Sequence, residues 1–224
     1  VAWLDTAVAL RDRVVMRIAV VGSGSVGTGL ARAWSGLGHS VVIGSRSPES
    51  ERVVELLASL GNGVSAAGLT ESVADADVIV LAVPWGAAEV SLSALGDLSG
   101  RLVIDATNPF VGGLNLGIGY DDSGGEQVAR WAAGAHIVKA LNIVDARLLD
   151  GKKLDGREIS IPICGDNKEA KRVIGELIAE LGFDVIDVGE LEISRLLEPL
   201  CLLMIKLSIK KSLGAEIGFR VLRN

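Results

Sequence analysis

The chain has 224 residues, 22 basic and 28 acidic, and a formal charge of −6. Its 49% apolar and 22% charged content is that of a soluble globular protein long enough to bury a sizeable core. The acidic balance gives no attraction for phosphate backbones, so no nucleic-acid partner is expected. No run reaches the ~18 uninterrupted apolar residues of a membrane span, so no membrane partner is expected either. Two cysteines, Cys164 and Cys201, make no disulfide framework. His39 and His136 lie too far apart for metal-ligand spacing, so no metal site is expected.

Asp5, Arg11, Asp12 and Arg13 break any signal-peptide pattern in residues 1–15. That stretch is read as an extension ahead of a cleaner start at Met16, and the cytoplasm is the expected compartment. From Met16, short apolar runs alternate with amphipathic stretches, the pattern of βαβ units around a parallel sheet. Strand Arg17–Val21 leads into a glycine loop and a helix with Val26, Leu30, Ala33 and Leu37 near one face, ended by Gly38. Strand Ser40–Gly44 follows. Ser47-Pro48 reads as a helix start, serine as cap and proline in the first turn, with the helix running to about Leu60.

A weak strand is expected near Val64, then strong ones at Asp77–Val83 and Leu102–Ala106. Their continuous apolar character suits a sheet covered on both faces. Residues 110–125 hold six glycines and read as a mobile surface loop beside the site. A helix at Glu126–Ala133 and a strand at His136–Leu141 complete the first unit. Then come a strand at Ile159–Cys164, a helix at Lys168–Leu181, a strand at Val185–Val188 and a long helical stretch from about Leu191 to the end. The fold expected is α/β: a Rossmann-type doubly wound parallel sheet over 16–146, with a small C-terminal α/β lobe over 147–224.

Gly22-Ser23-Gly24-Ser25-Val26-Gly27 matches GxGxxG between a predicted strand and a predicted helix. The first glycine permits the tight turn, the second lets a diphosphate approach the backbone, and the third lets helix and strand pack closely. The diphosphate then meets free amides and the positive end of the helix. A site for NAD usually has an acid at the end of the second strand to hold the ribose 2′-hydroxyl. Here Gly44-Ser45-Arg46-Ser47 stands there. Arg46 can pair with a 2′-phosphate and the serines can donate to it, so NADP(H) is expected over NAD(H).

The nicotinamide of such a cofactor lies beyond the carboxyl ends of the strands. Trp85, Phe110 and Ala146 can wall that region, Trp85 alternatively packing at a helix start. No proton-transfer pair stands out. Tyr120 has no lysine four residues on. Lys139 either contacts substrate or reaches solvent from its strand end. Hydride transfer between stacked planar rings needs alignment and exclusion of water rather than a strong acid, so no catalytic residue is assigned. Leu196, Leu200, Leu203 and Leu207 share one face of the last helix, a stripe read as core packing and alternatively as a dimer or ring-binding surface.

Several segments together resemble one family: residues 16–27, Gly44-Ser45-Arg46, Val83-Pro84-Trp85, Val138-Lys139-Ala140-Leu141-Asn142, Ile163-Cys164-Gly165-Asp166 and Ser194-Arg195-Leu196-Leu197-Glu198. They are similar to the NADPH-dependent coenzyme F420 reductases and, beyond these, to the reductase domain of the STEAP metalloreductases. The resemblance covers about residues 16–224. It implies hydride transfer between NADP(H) and the F420 deazaflavin, with F420 in the cleft between the lobes.

By position the resemblance also assigns residues. Ser23 to Val26 would hold the diphosphate, and Ser45 and Arg46 the 2′-phosphate. Trp85, Glu89, Phe110 and Ala146 would line the nicotinamide, and Ile217 would contact the deazaflavin. In that family further basic residues follow the Ser-Arg pair, whereas here 47–51 intervene before Arg52. Arg195, Lys206, Lys210 and Lys211 could meet the anionic tail of F420. Alternatives are a flavin (FAD or FMN) or metal reductase, and a non-catalytic NADPH-binding redox module. A homodimer is expected.

Overall fold

The computed structural model describes residues 14–209, 213–214 and 216–223. Lys210, Lys211 and most of the N-terminal extension fall outside the described residues. Six parallel strands form the central sheet: β1 (Arg17–Val21), β2 (Ser40–Gly44), β3 (Val64–Ala67), β4 (Val78–Leu81), β5 (Leu102–Asp105) and, after a small hairpin of β6 (Phe110–Val111) and β7 (Asn115–Leu116), β8 (His136–Lys139). Their order is β3-β2-β1-β4-β5-β8. The chain winds outward from β1 in both directions, so a crevice opens beyond the carboxyl ends of β1 and β4. The register aligns those ends, pairing Val21 with both Gly44 and Leu81 and Asp105 with Lys139.

Alternation along each strand explains why the strands read as unbroken apolar runs. Ile18 and Val20 join one core with Leu30, Trp34 and Val80. Ala19 and Val21 point the other way, into a second core with Ile79, Leu92 and Val128. On the first face lies α1 (Ser25–Gly36). α2 (Glu51–Leu60) and α3 (Leu69–Val73) fill the crossovers around β3. A 3₁₀ turn at Trp85–Ala87 leads into α4 (Ala88–Leu95), which packs on the second face with α5 (Gly124–Trp131).

The remainder adds β9 (Ser160–Ile163), α6 (Lys168–Ala179), β10 (Asp184–Asp187) and α7 (Ser194–Ser208). β9 and β10 make their own parallel pair. It meets the large sheet through one bridge, where Lys139 N donates to Cys164 O and Cys164 N to Lys139 O. Ile161, Ile163 and Ile174 share the first core with Ile18 and Trp34, so the small lobe is packed continuously with the large sheet. The Trp34 indole reaches across this seam and donates to Leu177 O in α6 at 3.1 Å.

Three expectations are corrected. The second helix begins at Glu51, not at Ser47-Pro48. Ser47 O takes both the amide and the hydroxyl of Ser50, closing a separate turn that leaves Ser50 as the cap residue. The glycine-rich stretch 110–125 is folded rather than a plain loop: it holds the β6–β7 hairpin, and the Ser123 hydroxyl caps α5. The last helix stops at Ser208, and the chain returns to lay Phe219 O against Ser160 N. No helix among the described residues is long and apolar enough to cross a membrane.

Replacing Trp34 with phenylalanine keeps most of the buried ring but orphans the Leu177 carbonyl. A loss of about 1–2 kcal/mol in denaturant unfolding is expected, against about 3–5 kcal/mol for Trp34→Ala.

Candidate functional site

The glycine loop is built by close approach. A Cβ on Gly22 would lie 2.4 Å from Ala82 O, and its φ of 122° favours glycine. A Cβ on Gly27 would meet Gly22 O at 2.1 Å. Gly24 has open space beside it. It serves as N-cap of α1 without a side-chain cap, and no acid stands in the helix's first turn. The first amides of α1 therefore remain free for an anion.

A cavity of about 370 Å³ lies on one side of this turn. Its walls include Gly22 to Gly24, Ser45, Arg46, Ser47, Ser50 and Arg52. Arg46 and Arg52 are exposed and take part in no hydrogen bond or ion pair among the described residues. Elsewhere Arg130, Arg172 and Arg195 are each tied to an acid. Arg52, remote from Arg46 in the sequence pattern, is brought to the same cavity by the Ser47–Ser50 turn.

A second cavity, about 490 Å³, lies on the other side of the first turn of α1. Ser25 and Val26 line it, with Asn108, Asn142, residues 143–147, Ile217 and the α7 residues Cys201, Met204, Ile205 and Ser208. The structure thus brings Ala146 and Ile217 together. Trp85, Glu89 and Phe110 line neither of these two cavities. Trp85 lies 5.1 Å from Trp131, ring to ring, and its edge comes within 3.2 Å of where a Gly124 Cβ would be. No aromatic residue walls the second cavity; Val26, Ile143, Val144, Met204, Ile205 and Ile217 share its lining with the polar Asn108 and Asn142 and the charged Asp145 and Arg147.

Asn108 and Asn142 brace that wall. Asn142 Nδ2 donates to Asn108 Oδ1 and to Leu197 O in α7, and Asn108 Nδ2 donates to Asn142 O. Neither residue is given a role by the sequence reading. Burial pushes the Cys201 thiol up to about 11, and the Cys164 thiol, buried behind β8, to the same level. Asp145 is held below the usual carboxylate range by Arg147.

Beneath the cavity sits a buried charge cluster that sequence reading missed. Lys139 is neither solvent-reaching nor at the cavity; it is wholly buried. Its Nζ contacts Asp105 Oδ2 at 2.9 Å, Glu198 Oε1 at 2.8 Å and Thr107 O at 2.7 Å. Glu198 also accepts the amides of Gly124 and Gly125 at the start of α5. Asp105 accepts from the amide and hydroxyl of Thr107. Burial works to lower the Lys139 pKa, but Asp105 and Glu198 outweigh it and hold it above the ordinary lysine value. Arg195 is tied to Glu126 and does not face the cavity as a free cation. No group of three metal-ligating side chains occurs among the described residues.

Residues 17–109 match the family described as NADP oxidoreductase coenzyme F420-dependent. The F420-dependent NADP reductase of Methanothermobacter thermautotrophicus is 32% identical, over 93% of this chain and 95% of that protein. The chain belongs to the F420-dependent NADP reductase family. A solved structure from Arthrobacter sp. FB24, provisionally named an F420-dependent NADP reductase, superposes with a TM-score of 0.84 at 32% identity, covering 93% of this chain and all of that one. The rat metalloreductase STEAP3 is also 32% identical over 81% of this chain, which spans only 36% of its length. These relatives make the protein an NADP-linked oxidoreductase by family, with the Rossmann-type fold expected.

The two loop glycines separate folding from binding. Gly27→Ala forces backbone against backbone and is expected to cost about 3 kcal/mol or more in unfolding experiments. Gly24→Ala is expected to unfold like the parent yet lose dinucleotide affinity in titrations. Lys139→Met strands two buried carboxylates and is expected to cost about 3–5 kcal/mol.

Proposed function

We propose that the protein transfers hydride between NADP(H) and coenzyme F420. The observation that carries the cofactor choice is the pair of unpaired guanidiniums, Arg46 and Arg52, beside Ser45 and Ser47 in one cavity where an NAD site would carry an acid. The residues fit the dinucleotide: the glycine cradle leaves room at Gly24, and the first turn of α1 lacks any competing cap. Ser23 to Val26 hold the diphosphate through backbone amides. Arg46, with Arg52 and the serines, neutralises the 2′-phosphate.

The second cavity receives the reacting rings. Its volume lies within the ~300–1,000 Å³ range of small-molecule pockets. When bound, the nicotinamide would give or take the hydride. Val26, Ile143, Met204, Ile205 and Ile217 exclude water from the ring faces, and the Asn108–Asn142 pair fixes the spacing between the strand ends and α7. No side chain has to exchange a proton for the hydride step, which suits a cavity whose acid, Asp145, is paired with Arg147 and whose thiol, Cys201, stays protonated. The family membership and the deazaflavin-linked names of its relatives support F420 as the acceptor. As a second reading the protein is a flavin or metal reductase, and the metalloreductase likeness supports the metal part of it.

Two measurements test this. Arg46→Ala is expected to weaken NADPH binding by about 10- to 100-fold while NADH binding barely moves; equal losses would reject the phosphate assignment. Mixing the protein with NADPH and F420 should bleach the visible band of the oxidised deazaflavin. Bleaching only with FAD or FMN would favour the flavin reading, and NADPH binding without turnover of any acceptor would make the protein a binding module.

A further inference from the structure

α7 turns Leu197, Cys201 and Met204 inward and leaves Leu196 and Leu203 exposed, so the leucine stripe expected in the core is not what packs there. The inward face brings Leu197 O onto the side chain of Asn142. Asn142 is only 5% exposed and lines the second cavity. Its Nδ2 uses both hydrogens, one on Asn108 Oδ1 at 3.0 Å and one on Leu197 O at 3.1 Å. Its Oδ1 accepts nothing. Among the described residues it is the one buried side-chain polar atom left without a hydrogen-bond partner.

The amide cannot be turned over to repair this. A flip would set Oδ1 against two acceptors, Asn108 Oδ1 and Leu197 O. Asn108 is not free to follow, because its own Nδ2 donates to Asn142 O at 3.0 Å. Neighbouring polar side chains of the cavity are engaged with one another or with backbone. Arg147 grips Asp145 through two nitrogens, and the Ser208 hydroxyl donates to Ile205 O. Buried polar atoms are nearly always paired. One left over at a cavity wall marks where an entering molecule supplies the donor.

We propose that Asn142 reads the ligand of the second cavity, its Oδ1 accepting a hydrogen bond from the N–H of a planar amide. Asn108 and Leu197 O are positioning groups that fix the direction of that oxygen. The inference rests on the function proposed above, under which two such donors meet in this cavity. One is the carboxamide of the nicotinamide, and the other is the imide N–H of the accepting deazaflavin or flavin ring. Both present N–H at the edge of a flat ring. An acceptor fixed in the wall therefore sets how the ring is rotated, while Val26, Ile205 and Ile217 bear on its faces.

Calorimetric titration of the full chain tests it with four probes. These are NADP+, its 3-acetylpyridine analogue (a methyl ketone in place of the carboxamide), oxidised F420, and adenosine 2′,5′-bisphosphate, which lacks the nicotinamide half. Asn142→Ala should bind the bisphosphate as the parent does, showing that the fold and the phosphate sites are kept. With the carboxamide as donor, the variant binds NADP+ about tenfold more weakly and the acetylpyridine analogue as the parent does. With the accepting ring as donor, NADP+ is unaffected and F420 binds about tenfold more weakly. Unchanged affinity for both NADP+ and F420 overturns the proposal, as does a loss that the bisphosphate shares. Should Asn142→Ala fail to fold, Asn142→Ser, which keeps a small polar group but withdraws the carbonyl, takes its place with the same expectations. A parent that binds NADP+ but not F420 rejects the acceptor named above rather than Asn142, which is then judged on NADP+ and FMN by the same criteria.

Discussion

An ammonium sealed between two carboxylates holds this molecule together at its functional end. Lys139 closes β8, Asp105 closes β5 and Glu198 lies in α7, while the start of α5 donates two amides to the same cluster. Buried charges are costly unless every partner is present, so four elements are fixed in one geometry or not at all. This matters for function because α7 walls the second cavity on its next turn, at Cys201 and Met204. The cluster does no chemistry itself. It sets where the wall stands relative to the strand ends.

At the carboxyl end of β1 the constraint is steric rather than electrostatic. Gly22 and Gly27 sit where a single methyl would strike backbone. These contacts seat the start of α1 against β1 and β4, so that its free amides face the crevice. The charge cluster at the ends of β5 and β8 and the close packing at the end of β1 together frame the two cavities beside the start of α1.

Much of this was legible in the sequence. Strands buried on both faces need apolar side chains on both, and β4 reads that way throughout, while β1, β5 and β8 do so between the polar or charged residues Arg17, Asp105, His136 and Lys139 at their ends. The glycine spacing and Arg46 were equally direct. The failures share a cause: the deciding contact lay far away in the chain. Lys139 could not be placed without knowing that Glu198 folds over it. The leucine stripe announced a helix face, but Leu197, Cys201 and Met204 form a second apolar face, and only packing decides which one turns inward. Short α3 offers five residues, too few for a period to emerge. Ser47-Pro48 had the right chemistry for a cap, yet Ser50 competed for the Ser47 carbonyl and won.

The placement of the two hollows on either flank of the opening turn of α1 has a consequence for what can be held firmly. A molecule confined to one hollow gains only that hollow's contacts. One long enough to straddle the turn engages both, and its second half settles at the high effective concentration set by the first. With the dinucleotide bound as proposed, the protein would gauge length as well as charge: each half of a severed dinucleotide would be a poor tenant, and the intact molecule a good one.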